Sequence, residues 1–126
     1  MLKSIKSSPS QWVKATLAAM TIDEKLGQLI ASRDYVDDIE DSISRGIVGG
    51  IYVRDCTTPE TIAKYQQLAK VPLLISVDME GGSLYGKNSW SAQMALGALD
   101  EPDISYQWAY RQALEARDCG INSVYG

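Results

Sequence analysis

Apolar residues recur along the chain first at helical spacing and then in short continuous runs. The segment Ser8-Pro9-Ser10-Gln11 combines a capping residue, a proline suited to the first helical position and a glutamine three residues after the cap. Together with the apolar stripe behind it, this segment predicts a first helix over about Pro9–Ala19. A second capping box, Thr21-Ile22-Asp23-Glu24, predicts a short helix that runs into a strand near Leu29–Ser32.

The middle of the chain has the pattern of a strand, a helix and another strand. Val48–Val53 is a short apolar run, Thr58-Pro59-Glu60 begins a helix, and Leu73–Val77 is almost continuously apolar. A continuous apolar run is typical of a strand that helices cover on both faces. The short joints between these elements predict a βαβ unit with two parallel strands and a right-handed crossover.

Further helices are predicted on either side of this unit. Before it, Val36, Ile39 and Ile43 share one helical face, and Gly46 stands where a left-handed cap would end the helix. After it, a longer helix is predicted from Pro102 to Cys119, ended by Gly120 and followed by a strand at Ile121–Tyr125. The predicted packing face of that helix consists of Tyr106, Ala109, Ala113 and Ala116.

Length and charge limit the kind of protein that this pattern can build. The chain has 126 residues, 45% of them hydrophobic, and a net charge of −4. These values fit one globular domain without a nucleic-acid-binding surface. No stretch approaches the roughly 18 apolar residues of a membrane span. Because no apolar segment follows the lysines of Met1–Ser8, we expect a cytoplasmic protein unless an export signal has been removed.

The residue types also restrict the chemistry. The chain contains no histidine, which excludes imidazole catalysis and imidazole metal ligation by these residues. Cys56 and Cys119 are far apart and form no CxxC pattern, so neither a structural zinc site nor a disulfide framework is expected. Carboxylates, tyrosine or lysine would have to act as the general acid or base, and no metal or organic cofactor is predicted.

The strongest candidate site directly follows the Leu73–Val77 strand, where the sequence reads Asp78-Met79-Glu80-Gly81-Gly82. In parallel α/β proteins functional groups gather at the carboxyl ends of the strands. An aspartate there can accept hydrogen bonds from neighbouring sugar hydroxyls, and the two glycines permit close approach of a ligand. The same residues also fit a plain loop in which Asp78 caps a turn and the glycines bend the chain.

Several motifs occur in an order that resembles a known family. They are Met20-Thr21-Ile22-Asp23-Glu24-Lys25-Leu26-Gly27-Gln28-Leu29, Gly46–Val53, Val71–Gly82, Met94-Ala95-Leu96-Gly97-Ala98 and Glu115–Asn122. The chain from about Trp12 onward resembles the N-terminal part of the barrel domain of glycoside hydrolase family 3, which contains β-N-acetylhexosaminidases and β-glucosidases. The resemblance implies hydrolysis of O-glycosyl bonds at a non-reducing end and a β-glycoside as the binding partner.

The resemblance also implies roles for individual residues. Asp78 would bind hydroxyls of the sugar next to the cleaved bond, and Glu80, Gly81 and Gly82 would shape the loop beside it. The family's nucleophilic aspartate and acid/base residue lie further along the chain than residue 126, so no catalytic residue is assigned here. Ser83 replaces the arginine of many hexosaminidases, although the intact E-G-G still favours that branch over the β-glucosidases.

Other residues remain open candidates. Asp78 and Glu80 themselves could form a catalytic carboxylate pair, but both would approach the sugar from one side, whereas a retaining glycosidase attacks and protonates from different directions. Tyr106, Trp108 and Tyr110 could form a stacking platform for a sugar or could be packing residues. Arg54 and Asp55 could line the site or form an ion pair in a loop. Lys87, Asn88 and Trp90 lie in a loop long enough to cover a ligand.

We therefore expect residues 1–126 to form an α/β fold, namely part of a (β/α)8 TIM-type barrel with three to four parallel strands and surrounding helices. A whole barrel typically needs about 250 residues. The isolated chain should bind sugar weakly and hydrolyse nothing. Its exposed sheet edge favours either a longer enzyme or self-association. A non-catalytic sugar-binding or interaction module is the alternative function.

Overall fold

The computed structural model describes residues 8–54, 56–80 and 92–125. In these ranges one or two helices precede each short strand. The elements are α1 (Pro9–Ala19), α2 (Ile22–Gly27), β1 (Ala31–Arg33), α3 (Ile39–Arg45), β2 (Gly50–Tyr52), α4 (Pro59–Leu68), β3 (Leu74–Asp78), α5 (Gln93–Leu99), α6 (Pro102–Asp118) and β4 (Ser123–Tyr125).

The four strands form one parallel sheet in the order β1-β2-β3-β4. Tyr52 of β2 lies opposite Arg33 of β1 and Ser76 of β3, and Ser76 in turn lies opposite Ser123 of β4. Sequential strands that are neighbours and parallel, each joined by a helix, are the arrangement of a βα barrel. The predicted α/β fold and its parallel βαβ unit are confirmed.

Local sequence signals set most of the helix ends. The bounds of α1 are those predicted, and the reciprocal capping bonds between Ser8 and Gln11 are present. Thr21 and Glu24 cap α2 in the same way. Gly46 has a φ of 79°, in the left-handed region that favours glycine, and ends α3. These ends depend on contacts within one turn, which explains why the sequence alone predicts them.

The hydrophobic core lies on one face of the sheet. Ile51, Val53, Ile75 and Val77 are almost completely buried, and they pack with residues of α3 and α4 in one cluster. The neighbouring positions on the strands point to the opposite face, which we call the open face. There Leu74 is 53% exposed. Ser76 on the same face is buried, so the predicted cover on both faces of β3 is incomplete at Leu74 rather than absent.

The long helix α6 also packs differently from its predicted face. Gln112 and Ala116 are its buried residues, whereas Tyr106 is 65% exposed. The Gln112 side chain donates a hydrogen bond from Nε2 to the carbonyl oxygen of Met79 at 3.3 Å. Buried residues therefore occur only in the second half of α6. Helix α5 was not predicted, because its N-cap, Ala92, offers no capping side chain.

An ion pair between Glu24 of α2 and Lys70, which follows α4, lies at the amino end of the sheet. Glu24 Oε1 accepts from Lys70 Nζ at 2.7 Å, and Oε2 accepts from the Thr21 backbone N–H at 2.9 Å. The hydrogen bond from Lys70, followed by those from Thr21, lowers the pKa of Glu24 to about 2. The ionised form of Glu24 is thus favoured in the folded chain.

This pKa predicts a decline in stability in acid. Because the folded-state pKa lies below the ordinary value of 4.5, the contribution of Glu24 is complete above pH 4.5 and is lost as the pH falls toward 2. We expect Glu24→Gln to unfold with a shallower dependence on pH in this window. Urea unfolding at several pH values would measure it. Equal slopes in the variant and the unchanged chain would contradict the assignment.

Candidate functional site

Asp78 lies at the last position of β3, and its side chain is exposed at the carboxyl edge of the sheet. Its partner in register is Tyr125 of β4. Asp78 Oδ1 accepts a hydrogen bond from the backbone N–H of Glu80 at 3.2 Å. This is the turn-capping arrangement that the sequence left open, and it leaves the second carboxylate oxygen, Oδ2, as an acceptor for a ligand.

Glu80 follows in a turn and is exposed. The two carboxylates are therefore not side by side on one extended strand, because β3 ends at Asp78. The other predicted residues of this loop, Gly81 and Gly82, lie outside the described residues. The same holds for Asp55, Ser83, Lys87, Asn88 and Trp90.

A buried carboxylate at the end of β1 was missed by the sequence analysis. The Asp34 side chain is only 3% exposed, and its Oδ1 accepts from Arg54 Nε at 3.1 Å. Its Oδ2 accepts from the Thr57 hydroxyl and, at 3.5 Å, from the backbone N–H of Arg54. Asp34 thus ties the end of β1 to the loop after β2. Nothing in the sequence pairs residues twenty positions apart, so this contact could not be predicted.

Tyr65 of α4 lies beneath this network. Its hydroxyl donates to the Asp34 backbone carbonyl at 3.5 Å, and its ring is buried in the core. Burial, followed by the negative charges of Asp34 and Glu40, raises the pKa of the Tyr65 hydroxyl. Tyr65 therefore stays neutral and acts as a hydrogen-bond donor rather than a base.

The Arg54 guanidinium faces the open side of the sheet. It stacks on the Tyr35 ring, 4.9 Å from the ring centroid, and Arg33 lies over the same ring at 5.6 Å. These residues border a wide depression of about 490 Å³. Its lining consists of Ala31, Ser32, Arg33, Tyr35, Tyr52 and Arg54. A depression with aromatic rings and a few placed polar groups is a common form of ligand site.

Aromatic side chains also border Asp78. Tyr52 and Tyr125 lie with their ring centroids 6.5 Å apart, and Tyr125 is 54% exposed. The candidate platform on α6 is separate from these two: Tyr106 and Tyr110 stack at 6.2 Å and are exposed, which contradicts a core-packing role for their rings. Whether they bind sugar stays a prediction.

A second cavity of about 290 Å³ lies at the other end of the sheet, against α1 and α2. Across residues 8–54, 56–80 and 92–125, no group of three cysteine, aspartate or glutamate side chains is arranged to hold a metal ion. No helix in the same ranges is long and apolar enough to cross a membrane.

Parallel βα units with polar residues at the carboxyl edge define this chain as part of a barrel-type domain with its site at the strand ends. Residues 21–126 match the family model described as the glycosyl hydrolase family 3 N terminal domain. Since this match covers most of the chain, the protein belongs to glycoside hydrolase family 3.

Two relatives support this membership. A β-N-acetylglucosaminidase/β-glucosidase from Cellulomonas fimi is 39% identical over 123 residues, covering 90% of this chain and 22% of the relative. The solved structure of a β-glucoside phosphorylase, BglX, has a TM-score of 0.74 and 25% identity, covering 99% of this chain and 24% of that one. The chain thus spans less than a quarter of the length of each.

Proposed function

We propose that this chain forms part of the sugar-binding site of a family 3 glycosidase that hydrolyses β-linked N-acetylhexosamine or glucose at a non-reducing end. In this proposal Asp78 accepts hydrogen bonds from hydroxyls of the sugar beside the cleaved bond. The family resemblance adds Glu80, Gly81 and Gly82 to the same site. The name of the Cellulomonas fimi relative, which pairs N-acetylglucosaminidase with glucosidase activity, supports this substrate range.

The position of Asp78 is the observation that carries the proposal. An exposed carboxylate at the end of a buried parallel strand, with Tyr125 as its neighbour in register, offers both an acceptor for hydroxyls and an apolar ring surface for a pyranose. Polar groups fix the orientation of a ligand in such sites, and aromatic rings supply most of the contact area.

Cleavage of the glycosidic bond needs two further groups, a nucleophile and a proton donor. A retaining glycosidase requires two carboxyl groups about 5–5.5 Å apart on different sides of the scissile bond. Asp78 is already engaged by the backbone of Glu80, and both residues belong to one turn. In this proposal, as the family resemblance implies, the nucleophile and the proton donor are supplied by residues outside these 126, and this chain by itself should turn over no substrate.

We also propose that the open sheet associates with further protein. Leu29 and Ile30, directly before β1, are 83% and 50% exposed, and Leu74 is exposed on the open face. Unpaired parallel edges recruit another strand. Sedimentation velocity of the chain should show self-association that rises with concentration. A compact monomer at all concentrations would contradict pairing between copies.

Replacing the Asp78 carboxylate tests the sugar site. We expect the chain to bind methyl β-N-acetylglucosaminide or methyl β-glucoside at millimolar concentration, with Asp78→Asn weakening binding at least about tenfold, because a carboxylate hydrogen bond contributes roughly 1.5–3 kcal/mol. Titration followed by two-dimensional NMR would measure both dissociation constants.

Asp118→Asn is the matched control for this experiment. Asp118 is an exposed aspartate at the end of α6, near the amino end of the sheet, and it should leave binding unchanged. Equal weakening in the two variants would show a general charge effect. Unchanged binding in Asp78→Asn would remove Asp78 from the site.

A further inference from the structure

Sheet register puts Arg54 at the same edge as Asp78. Tyr52 lies opposite Ser76, and the backbone N–H of Val53 still donates to the Ser76 carbonyl at 2.8 Å. The strands thus run side by side, about 4.8 Å apart, up to the residue before Arg54. Arg54 and Asp78 thus stand at the same carboxyl edge, at the ends of neighbouring strands, and the Arg54 guanidinium lies on the β1 side of β2, over Tyr35.

A guanidinium and a carboxylate at one edge of a sheet could pair with each other. Among the described residues, however, Arg54 forms its ion pair with the buried Asp34 through Nε, and Asp78 takes part in no ion pair. The Tyr35 ring beneath Arg54 supports the flat guanidinium in this orientation. Asp34 thereby holds Arg54 in place and leaves the Asp78 carboxylate available to a ligand.

The remaining donors of Arg54 face the depression. Its side chain is 49% exposed, and Nε is the atom that binds Asp34. The two terminal nitrogens carry four N–H groups, for which the described part of the chain provides no hydrogen-bond acceptor. Sugar hydroxyls can both accept from such donors and donate to a carboxylate.

We propose that Arg54 is a second sugar-binding residue, which donates hydrogen bonds to the hydroxyls or ring substituents of the glycoside that Asp78 binds, and that Asp34 is its positioning residue. The inference rests on the proposed function, since it extends the same site. Adjacent hydroxyls would bridge the two side chains, one accepting from Arg54 and the other donating to Asp78.

The double variant Asp34→Asn/Arg54→Gln tests this role without leaving a buried charge unpaired. We expect its dissociation constant for methyl β-N-acetylglucosaminide or methyl β-glucoside to rise about tenfold by NMR titration, as the loss of a charged hydrogen bond predicts. Arg45→Gln, which alters an exposed arginine on α3, should bind like the unchanged chain. Arg54→Lys, which keeps the charge opposite Asp34, should be intermediate.

A second measurement addresses positioning without any sugar. In Asp34→Asn the released guanidinium should turn to Asp78 and lower the pKa of the Asp78 carboxyl, which carbon NMR would measure. Adding Arg54→Gln to the same chain should reverse this change. If Asp34 has only a structural role, the pKa of the Asp78 carboxyl should stay unchanged in both variants.

The outcomes separate the two proposals. If Asp78→Asn loses binding while Asp34→Asn/Arg54→Gln retains it, Arg54 is not a sugar ligand and the site at Asp78 stands. If the unchanged chain binds neither glycoside, the sugar site and the role of Arg54 both fail. An Asp78 pKa unmoved in Asp34→Asn overturns the positioning role.

Discussion

Gly27→Ala is expected to destabilise the fold by about 3 kcal/mol or more, because it forces a side-chain atom into a packed backbone. A Cβ at Gly27 would lie 2.2 Å from the carbonyl oxygen of Gly46 and 2.9 Å from the backbone of Ile47. Neither is the end of a flexible side chain, so α2 would have to move away from the turn that precedes β2. Urea unfolding followed by circular dichroism would measure the loss.

Gly97→Ala is the matched control, because Gly97 lies in helix α5 with nothing within 4 Å of the position that a Cβ would take. There alanine should leave stability unchanged or raise it by up to about 1 kcal/mol through its higher helix propensity. If Gly27→Ala were as stable as Gly97→Ala, the close approach of α2 to the Gly46–Ile47 backbone would be wrong.

Removing the Asp34 carboxylate should have the second-largest effect. Asp34→Ala takes away the acceptor that the Arg54 Nε and the Thr57 hydroxyl share at a position that water scarcely reaches. We expect a loss of about 2–3 kcal/mol in the free energy of unfolding, since buried polar groups are costly to leave without their partner. Because the Arg54 side chain is half exposed, water can solvate its guanidinium once the carboxylate is gone, and this limits the loss of stability.

Asp37→Ala serves as the comparison for Asp34, because Asp37 is an exposed aspartate three residues away. Its replacement should change stability by less than about 0.5 kcal/mol. Thermal and urea unfolding of both variants would measure the difference. Equal stability of the two variants would mean that the buried network at the carboxyl edge contributes nothing to the fold.

Helix ends were predicted well, because they depend on side chains within one turn. The Ser8 and Thr21 capping boxes set the starts of α1 and α2, and Gly46 ends α3 as expected. The helix α5 was missed where such a signal is lacking. The predicted packing face of α6 was right only for Ala116, because it was derived from helical spacing alone, whereas contact with the sheet selects which residues are buried.

The candidate site was predicted only in part. The position of Asp78 at a strand end followed from the apolar run before it, and the family from the order of its motifs. The predicted roles of Asp78, Glu80, Gly81 and Gly82 stay predictions. Asp34 was not found, because a single aspartate after a short strand carries no pattern that distinguishes it from any surface aspartate.

The sequence by itself determined the helix caps, the parallel βα order and the family, since each is written in residues that are close along the chain or in motifs of fixed order. Only the tertiary structure decided which face of the sheet is open and that Arg54 pairs with Asp34 instead of Asp78. Strand register and burial bring those residues together across long separations. The energy of a buried carboxylate depends on its surroundings in space, which the order of residues does not specify.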